Sequence, residues 1–301
     1  MRSIISTLVI WSGCGGQGGV TDRYVPFDQA VVTAARHKIA VFDKFHEALE
    51  AKDFAAIQSS YETNFRGDLK ALGAAHSYVS EGNSLGMALD QQVEAAITLG
   101  AGTSELSVKE AAEEIVQTIV LRYTFEMIYG ELKKSTPEGW DRAFAYYGRS
   151  TDGKTSAGIA RQGQQRDTEF ATQKNDTVFQ AFIDGHNALV QGDSSLVTSR
   201  AAAIDQAVTE IFGLSAHHEF AEAAEAISEN KPEEAVEGFA VGKGIVTMLR
   251  DYLKTRPNGA ATVAAIDAEL GKGDPTQAQT MAQVKFTTLV SALDTTFGFK
   301  L

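Results

Sequence analysis

Six histidines, at positions 37, 46, 76, 186, 217 and 218, are the side chains best suited to chemistry in this 301-residue chain. Imidazole beside carboxylate is a common ligand set for transition metals. His46 has Asp43 three residues before it and Glu50 four residues after it, spacings that bring side chains together on one helical face. The segment 42–53, Phe-Asp-Lys-Phe-His-Glu-Ala-Leu-Glu-Ala-Lys-Asp, is echoed at 182–193 by Phe-Ile-Asp-Gly-His-Asn-Ala-Leu-Val-Gln-Gly-Asp. Phe42/Phe182, His46/His186, Ala48/Ala188, Leu49/Leu189 and Asp53/Asp193 are identical across this internal repeat. Leu72–His76 can be laid on Leu214–His218, and Glu113-Glu114 on Glu233-Glu234, at somewhat different offsets.

If the two halves pack about a pseudo-twofold axis, equivalent histidines converge near it. The candidate metal set is then His46, His186, His76 and His218, with Glu50 as a carboxylate partner. His76 and His218 read as first-turn residues of their helices, where the positive helix end favours the neutral, ligating imidazole. The competing reading makes all four packed, hydrogen-bonded residues beside apolar stripes, because a repeat preserves packing as readily as chemistry. Arg122 and Glu126 stand four apart on the most apolar helical segment, near Tyr123 and Tyr129. They read either as a buried ion pair or, for Glu126, as a hard oxygen ligand suited to ferric iron.

Signatures of known catalytic machinery are missing: there is no His-Glu-x-x-His, Gly-x-Ser-x-Gly, P-loop or dinucleotide fingerprint. The glycine-rich run 13–19 follows no strand, so it does not read as a phosphate cradle. No histidine is followed by Glu at the third position, so the His-x-x-Glu motif of imelysin-type proteins is absent. The expectation is a binding protein and not an enzyme.

The elements that would position these residues are helical throughout. Only 5 prolines occur, and Ala, Glu, Gln and Leu dominate most segments. Apolar residues recur at three- and four-residue steps in 28–51, Asp53 is placed to cap a helix over 54–72, and a third helix is expected over 75–99. Ser107 with Glu110 reads as a capping box for a central helix reaching Lys134, and Pro137 opens a short aromatic helix. Weak periodicity and the glycines at 153, 158 and 163 make 149–174 a long connecting loop. Further helices are expected at 175–191, 194–212, 216–229, 232–255 and 275–296. The fold class is therefore all-α, with two diverged helical-bundle repeats, 28–148 and 175–301, packed about a pseudo-twofold axis.

Arg2 precedes the short apolar run Ile4–Trp11, and Ser12-Gly13 leads into Cys14, the only cysteine. This is the anatomy of a secretory signal (1–13) ending at a lipid-modified cysteine, followed by a glycine-rich tether over 14–27. A single cysteine excludes intrachain disulfides and multi-cysteine metal sites. The expected location is the bacterial cell envelope, on the periplasmic or surface face of the outer membrane. The lipid would be the only membrane attachment. The formal net charge of −12 disfavours nucleic acid as a partner and leaves cations open.

The run Glu138-Gly-Trp-Asp-Arg-Ala-Phe-Ala-Tyr-Tyr-Gly148, with Ser150–Gly153 and the stretch Arg161–Phe170, resembles a Trp-centred motif of algal iron-assimilating periplasmic proteins. It is similar also to a motif of helical bacterial lipoproteins associated with iron uptake. The resemblance implies an extracytoplasmic helical protein that binds iron, another transition-metal ion or a metal complex. It supplies no ligand residues. Two rival expectations are a structural or protein-binding lipoprotein without metal, and a hydrolase of unrecognised type.

Overall fold

The computed structural model describes residues 23–36, 47–48, 51–154 and 156–299. The signal segment, Cys14, His46 and Glu50 lie outside the described residues. Among those described, 77% are helical and none lies in a strand. Residues 29–36 and 47–48 are helical. They are followed by α1 (Phe54–Asn64), α2 (Arg66–Lys70), α3 (Leu85–Ala101), α4 (Leu106–Leu132), α5 (Pro137–Tyr147) and α6 (Gly158–Phe170). The rest of the chain forms α7 (Lys174–Gln191), α8 (Ser194–Ser228), α9 (Pro232–Lys254), α10 (Gly259–Leu270) and α11 (Phe286–Phe297), with short 3-10 turns at Gly82–Ser84 and Ala278–Gln283. No described helix is long and apolar enough to cross a membrane.

The central position expected for α4 is observed. It packs on α3, α5 and α9, and buries Val116, Ile119, Tyr123, Phe125, Ile128 and Leu132. The long α8 is the second pillar, flanked by α7, α9 and α11. Sequence periodicity alone would break α8 near residue 213, but Gly213 is an interior helical position against which the Phe297 ring closes. A Cβ there would come within 2.7 Å of that ring, so this glycine serves close packing and not a turn.

The same cause corrects the loop expected at 149–174. Helix α6 occupies Gly158–Phe170, and its Gly163 admits the Ile211 side chain of α8. The helix expected from residue 75 begins at Leu85 instead, because the backbone at Ala75 and His76 turns to donate to the Glu126 carboxylate. The expected Ser107 cap is also displaced: α4 starts at Leu106, without a side-chain cap. Helix α10, over Gly259–Leu270, has no counterpart among the helices expected from sequence.

The two echoed sequence segments end in similar corners. At the first, Lys52 is left-handed (φ 52°), the Asp53 amide donates to the Ala48 carbonyl, and the Asp53 carboxylate accepts from the Ala56 amide at 3.0 Å. At the second, Gly192 is left-handed (φ 73°), the Asp193 amide donates to the Ala188 carbonyl, and the Asp193 carboxylate accepts from the Leu196 amide at 2.9 Å. Ile57 and Val197, one turn further on, are both buried. After the corners the halves diverge: α1 ends at Asn64, whereas α8 runs on to Ser228. Leu72–His76 lies in a non-helical segment while Leu214–His218 is mid-helix, so those two stretches are not equivalent in position.

Candidate functional site

Glu126 and His76 do come together, in a setting different from the one their spacing suggested. His76 is buried, with 2% of its surface exposed, between the Tyr129 ring (centroids 3.9 Å apart) and the Phe125 ring (4.7 Å). Its Nδ1 faces Glu126 Oε2 at 3.1 Å, and its Nε2 faces Asp205 Oδ1 at 2.8 Å. On the other side of Glu126, Arg122 Nη2 lies 2.7 Å from Oε1, and Arg122 Nη1 donates to the Met248 carbonyl of α9. The result is a chain of alternating charge, Arg122–Glu126–His76–Asp205, that ties α4 to α9, to the 72–84 segment and to α8.

Burial pulls the His76 pKa down, but the hydrogen bonds to Asp205 and Glu126 outweigh it and hold the pKa above the ordinary histidine value. Burial pushes Glu126 up, and the His76 hydrogen bond with the Arg122 charge outweighs that, leaving it below the usual carboxylate range. Two carboxylates, one facing each ring nitrogen, favour the protonated imidazole, which can donate to both. It does not sit in the first turn of a helix, so the helix-end effect expected to favour a neutral imidazole does not act on it. With both nitrogens engaged, it offers no lone pair to a metal and no free base to a substrate.

The remaining described candidates sit elsewhere. His218 is mid-helix on α8, with Nδ1 2.5 Å from Glu169 Oε1 and Nε2 3.2 Å from Glu222 Oε1. It lies thirteen residues beyond Asp205, roughly 20 Å along the helix axis. His186, on α7, stacks on Phe27 at 4.0 Å and meets Tyr24 edge-on. The three described candidate histidines therefore occupy separate settings, and among the described residues no group of three or more His, Cys, Asp or Glu is placed to hold a metal ion.

The Trp140 motif is likewise taken up by packing. Trp140 is fully buried, donates from Nε1 to the Phe182 carbonyl at 2.9 Å, and presses so closely on Gly185 that a Cβ there would lie 2.0 Å from its ring. The Asp141 carboxylate accepts from the Tyr24 hydroxyl (2.7 Å) and from the Phe27 and Asp28 amides. Phe144 stacks under Tyr24 at 3.8 Å, and Tyr147 donates to Asn175 at 2.6 Å. Gly148 closes α5 at φ 94°, with the Ala157 carbonyl where a side chain would stand.

Sequence reasoning missed the feature most suited to binding. Helices α3 and α9 both pack on α4 without extended contact with each other, which leaves a cleft of about 650 Å³ above α4. Each helix presents one stripe: Leu85, Ala88, Leu89, Gln92, Ala95, Ala96 and Leu99 from α3; Ile115, Thr118, Ile119 and Arg122 from α4; Ala240, Lys243, Gly244, Thr247, Met248 and Asp251 from α9. Alanines and a glycine stand where larger side chains would have interdigitated, which is the physical cause of the gap. The same Arg122 that ends the buried charge chain forms part of the wall, and its Nε is buried without a hydrogen-bond partner among the described residues. The legible signal was the alanine set at 88, 95 and 96 on the α3 stripe.

A family model described as a domain of unknown function (DUF4856) matches residues 128–272. The matched segment runs from the end of α4 into the residues just after α10. It takes in the Trp140 motif and the α9 wall of the cleft, but not α3. No curated protein and no solved structure shows significant similarity to the chain.

Proposed function

We propose that this chain is a binding protein, not an enzyme, that holds a small organic ligand in the cleft between α3, α4 and α9. A lipid on Cys14 would tether it to the cell envelope. The observation that carries the reading is the cleft itself: about 650 Å³, with an aliphatic wall along α3 and α4 and polar and charged residues mainly along α9. Ligand sites of this kind occupy about 300–1,000 Å³ and commonly lie between helices of bundles. The buried charge chain supports the reading by clamping Arg122 at the cleft wall, so that one polar group is held ready before a ligand arrives. The matched corners at Asp53 and Asp193 support descent of the bundle from a duplicated helical unit. Of the residues behind the iron-linked expectation, the described histidines pack on rings or face carboxylates, whereas the cleft offers open volume.

Titration with Nile red, a neutral apolar dye, tests this. The protein is expected to give saturable fluorescence enhancement. Ala88→Phe and Ala95→Phe, which project a ring into the cleft from half-buried and exposed positions, are each expected to weaken binding about tenfold, the effect of roughly 1.4 kcal/mol. An absence of saturable binding, or two helical, folded variants that bind as the wild type does, would overturn the proposal.

A further inference from the structure

We infer that the ligand class of this cleft is a single-chain anionic amphiphile, an alkyl chain ending in a carboxylate or similar oxyanion; the inference rests on the cleft being a ligand site. The α3 stripe from Leu85 to Leu99 spans fifteen residues, roughly 21 Å of helix, so the apolar wall is long and suits an extended chain. The polar groups on the cleft are of biased sign. Four cations, Arg122, Lys243, Arg250 and Lys254, border it against two carboxylates, Glu81 and Asp251, in a chain whose formal net charge is −12. A positive lining on so acidic a protein is charge complementarity toward an anion.

Three of the four cations already have carboxylate partners: Arg122 with Glu126, Arg250 with Asp267 and Lys254 with Asp251. Lys243 has no carboxylate within ion-pair distance among the described residues, although its charge reaches Asp274 beside the cleft. It lies over the Phe239 ring at 5.3 Å, held beside Gly244, where α9 comes closest to Thr118 of α4. One turn further along α4 from Thr118, Arg122 offers its unpartnered Nε. An oxyanion bound here would accept from Lys243 and supply the acceptor that Arg122 Nε lacks, with its chain along the α3 wall. A charge-assisted hydrogen bond of that kind is among the stronger polar contacts a ligand can make.

The test is displacement of Nile red from the full chain by three amphiphiles with ten-carbon chains, held below their micelle or solubility limits: decanoate, decan-1-ol and decyltrimethylammonium. Decanoate is expected to displace the dye at about one tenth of the decan-1-ol concentration, with the cationic amphiphile weaker than either. Lys243→Gln is expected to bring the decanoate-to-decanol ratio within about twofold of unity, and raising salt from low to 0.5 M should narrow it in the wild type. Equal competition by decanoate and decan-1-ol, or an unchanged ratio in Lys243→Gln, would overturn the assignment of an anionic ligand. Failure of the dye to bind, or its indifference to Ala88→Phe and Ala95→Phe, would instead remove the cleft reading beneath it.

Discussion

At the scale of single residues, the Arg122–Glu126 pair was legible because four residues on a helix bring side chains together, and the structure places their charges 2.7 Å apart. The role of His76 was not legible. Its second carboxylate comes from Asp205, 129 positions away in sequence, and no local pattern announces a contact of that range. His76→Ala should cost on the order of 3 kcal/mol in chemical denaturation, because it leaves two carboxylates facing each other with one cation removed. The pH dependence separates this from simple loss of packing. The folded-state pKa of His76 is raised, so its contribution is complete below the unfolded value of about 6.5 and is lost as pH rises through the folded value. His76→Phe keeps a ring between Tyr129 and Phe125, and should therefore remove the alkaline decline contributed by this group while keeping part of the stability. A wild-type and His76→Phe pair with parallel stability-versus-pH curves between pH 6 and 9 would show that the imidazole is not held charged.

At the scale of elements, helices α5, α7 and α9 start and stop within a residue or two of where their sequence signals put them. Thr136-Pro137 at the start of α5 and Pro232 at the start of α9, with Gly148 and Gly192 at the ends of α5 and α7, are signals that act locally. Glycines misled where their purpose was tertiary. Gly163 and Gly213 look like helix breakers in sequence, yet each lies inside a helix because a neighbouring side chain needs the space. The likeness of the two Asp corners was legible for the same local reason, whereas the paths beyond them differ, one helix ending at Asn64 and the other at Ser228. Asp53→Ala and Asp193→Ala each remove one capping acceptor of near-identical geometry, so thermal denaturation should report similar losses of about 1 kcal/mol for the two. A marked inequality would mean that the corners are alike in backbone but not in the load they carry. Gly185→Ala should be far more damaging than either, because its new methyl group would have to displace the Trp140 ring.

At the scale of the whole molecule, charge is unevenly placed. The cleft is bordered by more cations than carboxylates, while the end where α4 begins, α8 finishes and α9 begins gathers Glu113, Glu114, Glu219, Glu222 and Glu237 from three helices. Burial, then the nearby charges of Glu222 and Glu237, outweighs the relief from Arg166 and pushes Glu219 up to about 8. Burial, reinforced by Glu113, Glu219 and Glu237, drives Glu114 well above its usual range as well. Acids with raised folded-state pKa values bind more protons in the folded than in the unfolded state. Stability must then fall as pH rises from the ordinary carboxylate range, about 4.3, through the folded value near 8. His76 acts in the same direction over the upper part of that window, and the net charge of −12 adds self-repulsion as the remaining acids ionise. The melting temperature is therefore expected to be several degrees higher at pH 5.5 than at pH 8.5. Glu219→Gln should raise it at both pH values but much more at pH 8.5, because at pH 5.5 only the first part of the window between the unfolded and folded values has been crossed. Each corner of that two-by-two comparison is a single melting curve, and a Glu219→Gln benefit equal at both pH values would mean that the carboxyl carries its charge throughout.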